Sequence, residues 1–188
     1  MKVLAIGAHY DDVELGCGGT IMRLIDSGHE VYYLGFSDIG SKDLKHECLC
    51  SVAELGIKNI ELLEFPSRFF HTQRQAILEL LCERKRQIQP DIIFTHGSFD
   101  CHQDHQVIHQ ESKRAFKGLT MFGYNHIWNV VSQVKHISFS IDTPKKIRAL
   151  RNYKSQQHRE YFDPEYIEAM NYKGEHFEVI SLNESILL

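Results

Sequence analysis

Residues 2–28 of the chain read KVLAIGAHYDDVELGCGGTIMRLIDSG. The first seven of them, residues 2–8, form a short apolar run with β-branched side chains, which predicts a buried strand. The polar residues HYDD at positions 9–12 end that run. Residues 16–27 then predict a helix, which ends at Gly28. A buried strand that leads into a helix is the opening of a βαβ unit, so this stretch favours a parallel sheet.

The same alternation of strand and helix continues along the chain. Further strands are predicted at residues 30–36, 59–65, 91–95, 120–124, 134–140 and 177–181, and helices at 43–55, 71–87, 106–116 and 144–153. Strands that alternate with helices are joined by right-handed crossovers. We therefore predict a Rossmann-like α/β fold, with a doubly wound, mostly parallel sheet and helices on both faces. No linker, repeat or low-complexity tract interrupts residues 1–188, which predicts a single domain.

Composition restricts the functional classes. The chain has 188 residues, of which 43% are hydrophobic and 24% charged. Area scaling for this length predicts that about 70% of the unfolded surface is buried on folding. The formal net charge is −4 and no long charged run occurs, which argues against a nucleic-acid partner. No apolar stretch approaches the roughly 20 residues of a membrane helix.

Cysteine usage suggests a redox compartment. The chain contains five cysteines, an odd number in a sequence long enough to fold without crosslinks. This favours reduced thiols and a cytoplasmic location. The sequence leaves the oligomeric state open, and a homo-oligomer is one of the alternatives.

Two polar segments follow predicted strands that should be neighbours. They are HYDDVE at residues 9–14, after the first strand, and HGSFDCHQDH at residues 96–105, after the fourth. Doubly wound sheets bind ligands beyond the carboxyl ends of their strands, where the winding direction reverses. Together the two segments hold four histidines and five acidic residues. We expect them to face one crevice.

The residue types in these segments are those of a metal site. Each segment offers imidazole and carboxylate groups within one turn, and they are His9, Asp11, Asp12, His102, Asp104 and His105. A catalytic zinc ion takes three protein ligands from His, Asp and Glu and keeps one position open. In the alternative interpretation, Asp11 and Asp12 cap a helix and the histidines lie solvated on a loop.

The glycines at residues 16, 18 and 19 invite comparison with a dinucleotide-binding loop. That fingerprint places its glycines directly after the first strand, whereas about eight residues intervene here. We expect these glycines to let the helix pack closely on the sheet.

Other polar and aromatic side chains have two interpretations each. Arg68 follows the third strand, where its guanidinium could bind a substrate oxygen or phosphate, or lie solvated on a loop. His109 could pair with His105 on one helix face, but we expect a surface residue or one behind the metal ligands. Three aromatic residues could line a sugar-binding wall or belong to the core: Tyr124, Trp128 and Tyr153.

With these motifs in view, the chain resembles the LmbE-like family of PIG-L type zinc-dependent de-N-acetylases. The family's opening signature, AHPDD followed by GGT, corresponds to AHYDD at residues 8–12 and GGT at 18–20. Its second signature, a PD-hydrophobic strand that leads to D-x-H-x-D-H, corresponds to PDIIF at 90–94 and DCHQDH at 100–105. The two motifs together are specific, and the resemblance runs from the first strand to the end of the chain.

The resemblance implies roles for the motif residues. The implied ligands of one zinc ion per chain are His9, Asp12 and His105. Asp11 is implied as the general base. His102, steadied by Asp104, is implied as the group that stabilises the oxyanion, and Arg68 remains the candidate for substrate binding.

The implied reaction is removal of the acetyl group from an N-acetylated amino sugar. The substrate would be an N-acetylglucosamine-type sugar, a nucleotide-sugar or a glycoconjugate precursor, and hence a small molecule. The HQDH form, the Arg68 segment and RAFK at residues 114–117 are most similar to members associated with surface-polysaccharide and amino-sugar biosynthesis.

The sequence departs from the family pattern in three places. Tyr10 stands where the signature has proline, which removes no ligand. Cys101 lies inside the second motif, where oxidation could reach it. Residues 161–174 form a shorter segment than in relatives, so the substrate rim would be altered.

Two rival functions stay open at this level. A metal-dependent phosphoesterase also uses His and Asp clusters, but a two-metal site needs more bridging carboxylates than these motifs supply. A sugar- or nucleotide-binding module would keep the fold without turnover. Metal content, acetate release and phosphate release distinguish the three.

Overall fold

The computed structural model of the protein describes residues 1–38, 40–124 and 136–183. The strands are β1 Lys2–His9, β2 Glu30–Ser37, β3 Asn59–Leu62, β4 Ile92–His96, β5 Thr120–Tyr124, β6 His136–Phe139 and β7 Glu175–Ser181. The helices are α1 Asp12–Asp26, α2 Leu44–Glu54, α3 Arg74–Ile88, α4 Gln103–Ala115, α5 Thr143–Leu150 and α6 Pro164–Met170. Short 3₁₀ turns lie at Phe70–Thr72, Lys154–Gln156 and Glu160–Phe162.

The strands form one sheet in the order β3-β2-β1-β4-β5-β7-β6. Strands β1 to β5 are parallel, and the winding reverses between β1 and β4, which are neighbours. The predicted doubly wound α/β fold is confirmed. The carboxyl ends of β1 and β4 therefore lie side by side at the switch point.

The last two strands of the sheet order run differently from the rest. Strand β7 is antiparallel to both β5 and β6. The sheet is thus mostly parallel, with an antiparallel addition at one edge. Because β7 lies inside the sheet beside β5, its first residues reach the helices that cover the carboxyl end.

Two apolar layers enclose the sheet. Alternate residues of β1 point to opposite faces, with Val3 and Ala5 in one core cluster and Leu4 and Ile6 in the other. The first cluster includes residues of α1, α2 and α5, and the second includes residues of α3 and α4. Burial on both faces explains why β1 reads as a continuous apolar run.

Helix α1 begins earlier than the sequence indicates, because it consists of two parts. The backbone at Cys17 leaves helical geometry (φ −145°, ψ 15°), so a first turn from Asp12 precedes the segment predicted at 16–27. A Cβ atom on Gly16 would lie 2.2 Å from the Tyr124 ring. Glycine is therefore required for close packing of α1 on the sheet, as expected.

Other helix and strand boundaries differ between the sequence-based prediction and the structure for local reasons. Helix α3 ends where Gln89 adopts a left-handed conformation (φ 53°) just before a proline. Strand β3 is shorter than its apolar pattern, and α6 was not predicted because its seven residues carry little periodic signal. Residues 134 and 135 of the predicted strand 134–140 lie outside the described residues.

Candidate metal centre

The fold brings the two polar segments together at the switch point. His9 is the last residue of β1, Asp11 is the N-cap of α1, and Asp12 is its first residue. His96 is the last residue of β4. His102 is the N-cap of α4, and Asp104 and His105 lie in its first turn. All of these side chains are buried except that of His102, which is partly exposed.

Three donor atoms face one another at the centre. Asp12 Oδ2 lies 3.4 Å from His9 Nδ1 and 3.4 Å from His105 Nε2, and the two ring nitrogens are 3.2 Å apart. Two imidazole nitrogens and a carboxylate oxygen at these distances could hold one metal ion between them. Donors around a tetrahedral zinc ion at ~2.0–2.1 Å lie about 3.3 Å apart, so the donor set fits zinc.

Carboxylates hold the far side of both imidazoles. His105 Nδ1 lies 2.7 Å from Asp100 Oδ2, and His9 Nε2 lies 3.2 Å from Asp104 Oδ2. Each ring therefore donates its outer N–H and turns its other nitrogen to the centre. This arrangement is usual behind metal-binding histidines, because it fixes the tautomer and the ring orientation.

His102 and Asp104 are not paired in the way the sequence analysis expected. The Asp104 carboxylate binds His9 and the backbone N–H of Arg68 (2.7 Å). The His102 Nδ1 instead accepts the backbone N–H of Asp104 at 3.2 Å. The reason is the helix N-terminus: His102 caps α4 with its ring, which leaves its Nε2 to carry the proton.

Burial and nearby charges shift the pKa values of the four histidines in opposite directions. Burial opposes protonation of His9 and His105, but Asp12 and the neighbouring carboxylates raise the pKa of His9 to about 10 and that of His105 to about 9. Burial and the nearby His105 lower the pKa of His96 and of His102 to about 4. His102 is therefore a neutral ring.

Asp11 differs from its neighbour. Its side chain makes no capping bond to α1, which is at odds with the helix-cap interpretation. Burial and the adjacent Asp12 raise the pKa of Asp11 to about 6, while His9 and then Arg159 act in the opposite direction. Asp12 accepts the backbone N–H of His9 at 2.7 Å, and His105 and His9 hold its pKa well below the usual range despite burial.

Arg68 lies next to the site through its backbone. Its N–H binds Asp104, and its carbonyl accepts a hydrogen bond from the Gln103 side chain at 3.0 Å. These bonds hold Arg68 at φ 70°, which costs about 1–2 kcal/mol for a residue with a Cβ atom. The guanidinium is exposed and has no hydrogen bond or ion pair to another described residue.

The structure adds residues that the sequence analysis did not assign. His96 is fully buried, stacks on His105 at 3.9 Å between ring centroids, and places Nε2 3.3 Å from Asp12 Oδ2. The sequence feature that could have identified His96 is its position at the end of the fourth predicted strand. Arg159 and Tyr161 form a hydrogen-bonded pair near Asp11, and no sequence pattern indicates them.

The remaining candidates lie outside the donor set. His109 is buried and donates through Nδ1 to the His96 carbonyl at 2.8 Å. Tyr124 and Tyr153 are fully buried in the core, so neither lines a sugar-binding wall. Trp128 lies outside the described residues. The five cysteines are free thiols, and Cys101 is exposed beside the site.

Comparison with known proteins identifies the family. The family described as PIG-L, GlcNAc-PI de-N-acetylase, matches residues 4–116, which include the three donor residues His9, Asp12 and His105. The chain belongs to the PIG-L, or LmbE-like, de-N-acetylase family. The resemblance drawn from the two motifs is thereby confirmed. No described helix of this PIG-L protein is long and apolar enough to cross a membrane.

Individual relatives agree with this assignment. The chain is 32% identical over 171 residues to the uncharacterized deacetylase YaiS of Escherichia coli K12, which covers 81% of this chain and 90% of the relative. It is 31% identical over 121 residues to the diacetylchitobiose deacetylase of Thermococcus kodakarensis, covering 56% of this chain but 45% of that protein. A deacetylase triple mutant of teicoplanin biosynthesis has the same fold, with a TM-score of 0.79, 14% identity and coverage of 95% and 97%.

Proposed function

We propose that the protein is a zinc-dependent hydrolase that removes the acetyl group from an N-acetylated amino sugar. The observation that carries this proposal is the triangle formed by His9 Nδ1, Asp12 Oδ2 and His105 Nε2, with a carboxylate behind each imidazole. One zinc ion per chain would be held by these three residues. Zinc, when bound, supplies Lewis acidity toward the amide carbonyl and promotes ionisation of water near neutral pH.

The protein's own residues supply the remaining tasks. Asp11, buried and without a capping bond, accepts the proton of the attacking water and delivers it to the amide nitrogen as the C–N bond breaks. Acetate and a free amine leave. His102, with Nδ1 occupied by the Asp104 N–H, donates from Nε2 to the developing oxyanion. This donor is a neutral imidazole, and Asp104 acts by holding His9 and the Arg68 loop.

Arg68 is the proposed substrate-binding residue. Its backbone is tied to Asp104, while its guanidinium is free of protein partners among the described residues, so it can bind hydroxyl or phosphate oxygens of the substrate. The names of the relatives support a sugar substrate, since one of them is a diacetylchitobiose deacetylase. We place the substrate among N-acetylglucosamine-type sugars, nucleotide-sugars and glycoconjugate precursors of surface-polysaccharide or amino-sugar metabolism.

The test compares the proposed activity with its rivals. Protein purified without chelator is analysed for divalent metals and then incubated with N-acetylated sugars and nucleotide-sugars, while acetate and phosphate are both quantified. We expect about one zinc per chain and release of acetate without phosphate. Phosphate release would support a phosphoesterase. Sugar binding with neither product, after zinc has been added back, would support a non-catalytic module.

A further inference from the structure

The backbone carbonyl of Tyr10 receives two tyrosine hydroxyls inside the protein. The Tyr33 hydroxyl, from β2, donates to it at 2.8 Å, and the Tyr153 hydroxyl, from the segment after α5, donates to it as well. Both tyrosine side chains are almost completely buried. Two elements far apart in the sequence thus converge on one peptide group next to Asp11.

The buried Glu14 side chain forms hydrogen bonds with both tyrosine hydroxyls. The hydroxyls donate to the Glu14 carboxyl group, at 2.5 Å from Tyr153 and 3.2 Å from Tyr33, so each shares its single proton between Glu14 and the Tyr10 carbonyl. The Cys48 thiol lies 3.5 Å from the Tyr33 hydroxyl. Burying these groups is costly unless each is satisfied by a partner. We call Glu14, Tyr33, Tyr153 and Cys48 the hydroxyl cluster.

The cluster acts on Asp11 because of the covalent geometry. The Tyr10 carbonyl and the Asp11 N–H belong to one planar peptide, so fixing the carbonyl fixes the direction in which the Asp11 chain leaves it. Asp12 has its own anchor in the His9 N–H at 2.7 Å, whereas the Asp11 side chain has no bond to the helix N-terminus. The orientation of Asp11 therefore depends more strongly on the backbone.

We propose that Tyr153, supported by Tyr33 and Glu14, is a positioning residue that orients the Asp11 carboxylate through the Tyr10 carbonyl. This inference rests on the proposed function of Asp11 as general base. A misplacement of about 1 Å in a reacting group can cost up to about 10²-fold in rate. Removal of one hydroxyl, with Tyr33 still in place, should cost about 10-fold in kcat.

The variant Tyr153→Phe keeps the buried ring and removes the donor. The control is Tyr32→Phe on β2, which removes a hydroxyl bonded to the Glu30 carboxylate at 2.7 Å and leaves both donors to the Tyr10 carbonyl. We expect Tyr153→Phe to lower kcat about 10-fold with unchanged KM and zinc content, and Tyr32→Phe to keep kcat. If Tyr153 acts through Asp11, Tyr153→Phe should cause little further loss in an Asp11→Asn protein.

Two measurements keep the inference separate from the proposed function. A wild-type protein that releases no acetate, or an Asp11→Asn variant with normal turnover, overturns the function of Asp11 itself. Crystal structures of both tyrosine variants then test the positioning directly, and we expect the Asp11 carboxylate to shift in Tyr153→Phe alone. Equal kcat losses in the wild-type and Asp11→Asn backgrounds, or an unmoved Asp11 carboxylate, would overturn the inference.

Discussion

Asp11 and Asp12 are neighbours in the chain, yet their carboxylates have different surroundings. Asp12 supplies one of the three donor atoms proposed to bind zinc, so Asp12→Ala should lose zinc and activity together. Asp11→Asn keeps all three donors but cannot accept a proton, so it should retain zinc and lose roughly 10²-fold or more in kcat. Zinc content and kcat measured on the same preparations decide this. Loss of zinc from Asp11→Asn would show that the two roles are exchanged.

Arg68 combines a free guanidinium with a left-handed backbone, and two substitutions separate these properties. Arg68→Ala and Arg68→Gly both remove the guanidinium, so both should raise KM and leave kcat nearly unchanged. Glycine also relieves the conformational cost at φ 70°, so Arg68→Gly should be about 1 kcal/mol more stable than Arg68→Ala. Kinetics and urea unfolding check the two effects. Arg86→Ala, at an exposed site on α3, is the control that should keep its KM.

At the scale of the element, helix α1 depends on a buried ion pair that bridges its kink. Lys146 Nζ donates to the Leu15 carbonyl at 2.6 Å, before the kink, and Glu175 accepts the N–H groups of Gly19 and Thr20 at 2.9 and 2.7 Å, after it. Lys146 and Glu175 are themselves 2.7 Å apart. The pair replaces the helical hydrogen bonds that the kink removes.

Substitution of Lys146 should therefore be costly. Lys146→Met leaves the buried Glu175 without its cation, and we expect a loss of about 3–5 kcal/mol in the free energy of unfolding. The control is Arg148→Met on the same helix, α5, whose ion pair with Glu54 is exposed and should be worth less than about 1 kcal/mol. Denaturant unfolding of both variants compares the losses. Equal losses would mean that the kink does not need the pair.

At the scale of the whole molecule, the proposed zinc joins two halves of the sheet. Its ligands come from the β1–α1 junction and from α4, on either side of the switch point. Because zinc binds the folded chain in preference to the unfolded one, an excess of about 1,000-fold over Kd adds about 4 kcal/mol to stability. For a chain of this size the Tm should rise by roughly 10 °C.

Thermal unfolding before and after chelation measures this effect. Chelated wild type and Asp11→Asn should both recover their Tm when zinc is added, since both keep the three donors. Asp12→Ala should show little recovery. An equal rise in Asp12→Ala would mean that zinc stabilises the protein at another place.

The sequence by itself determined the architecture and the location of the site. A strand that is buried on both faces needs a continuous apolar run, as at residues 2–8. Strands that alternate with helices are joined by crossovers between parallel strands. Residues 2–8 and the later strand–helix pairs therefore identify the fold. The strand ends then locate the two polar segments, residues 9–14 and 96–105, at the switch point. These inferences rest on local periodicity and on a general rule of topology, and both can be read along the chain.

Only the tertiary structure decided which side chain bonds which. Asp104 stands two residues from His102 in the sequence, yet its carboxylate binds His9, 95 residues away, because the ring of His102 is occupied in capping α4. Arg159, Tyr153 and Glu175 reach α1 from the last third of the chain, through contacts that no periodicity encodes. A sequence pattern records which face a residue occupies, whereas hydrogen-bond partners depend on distances set by packing between elements.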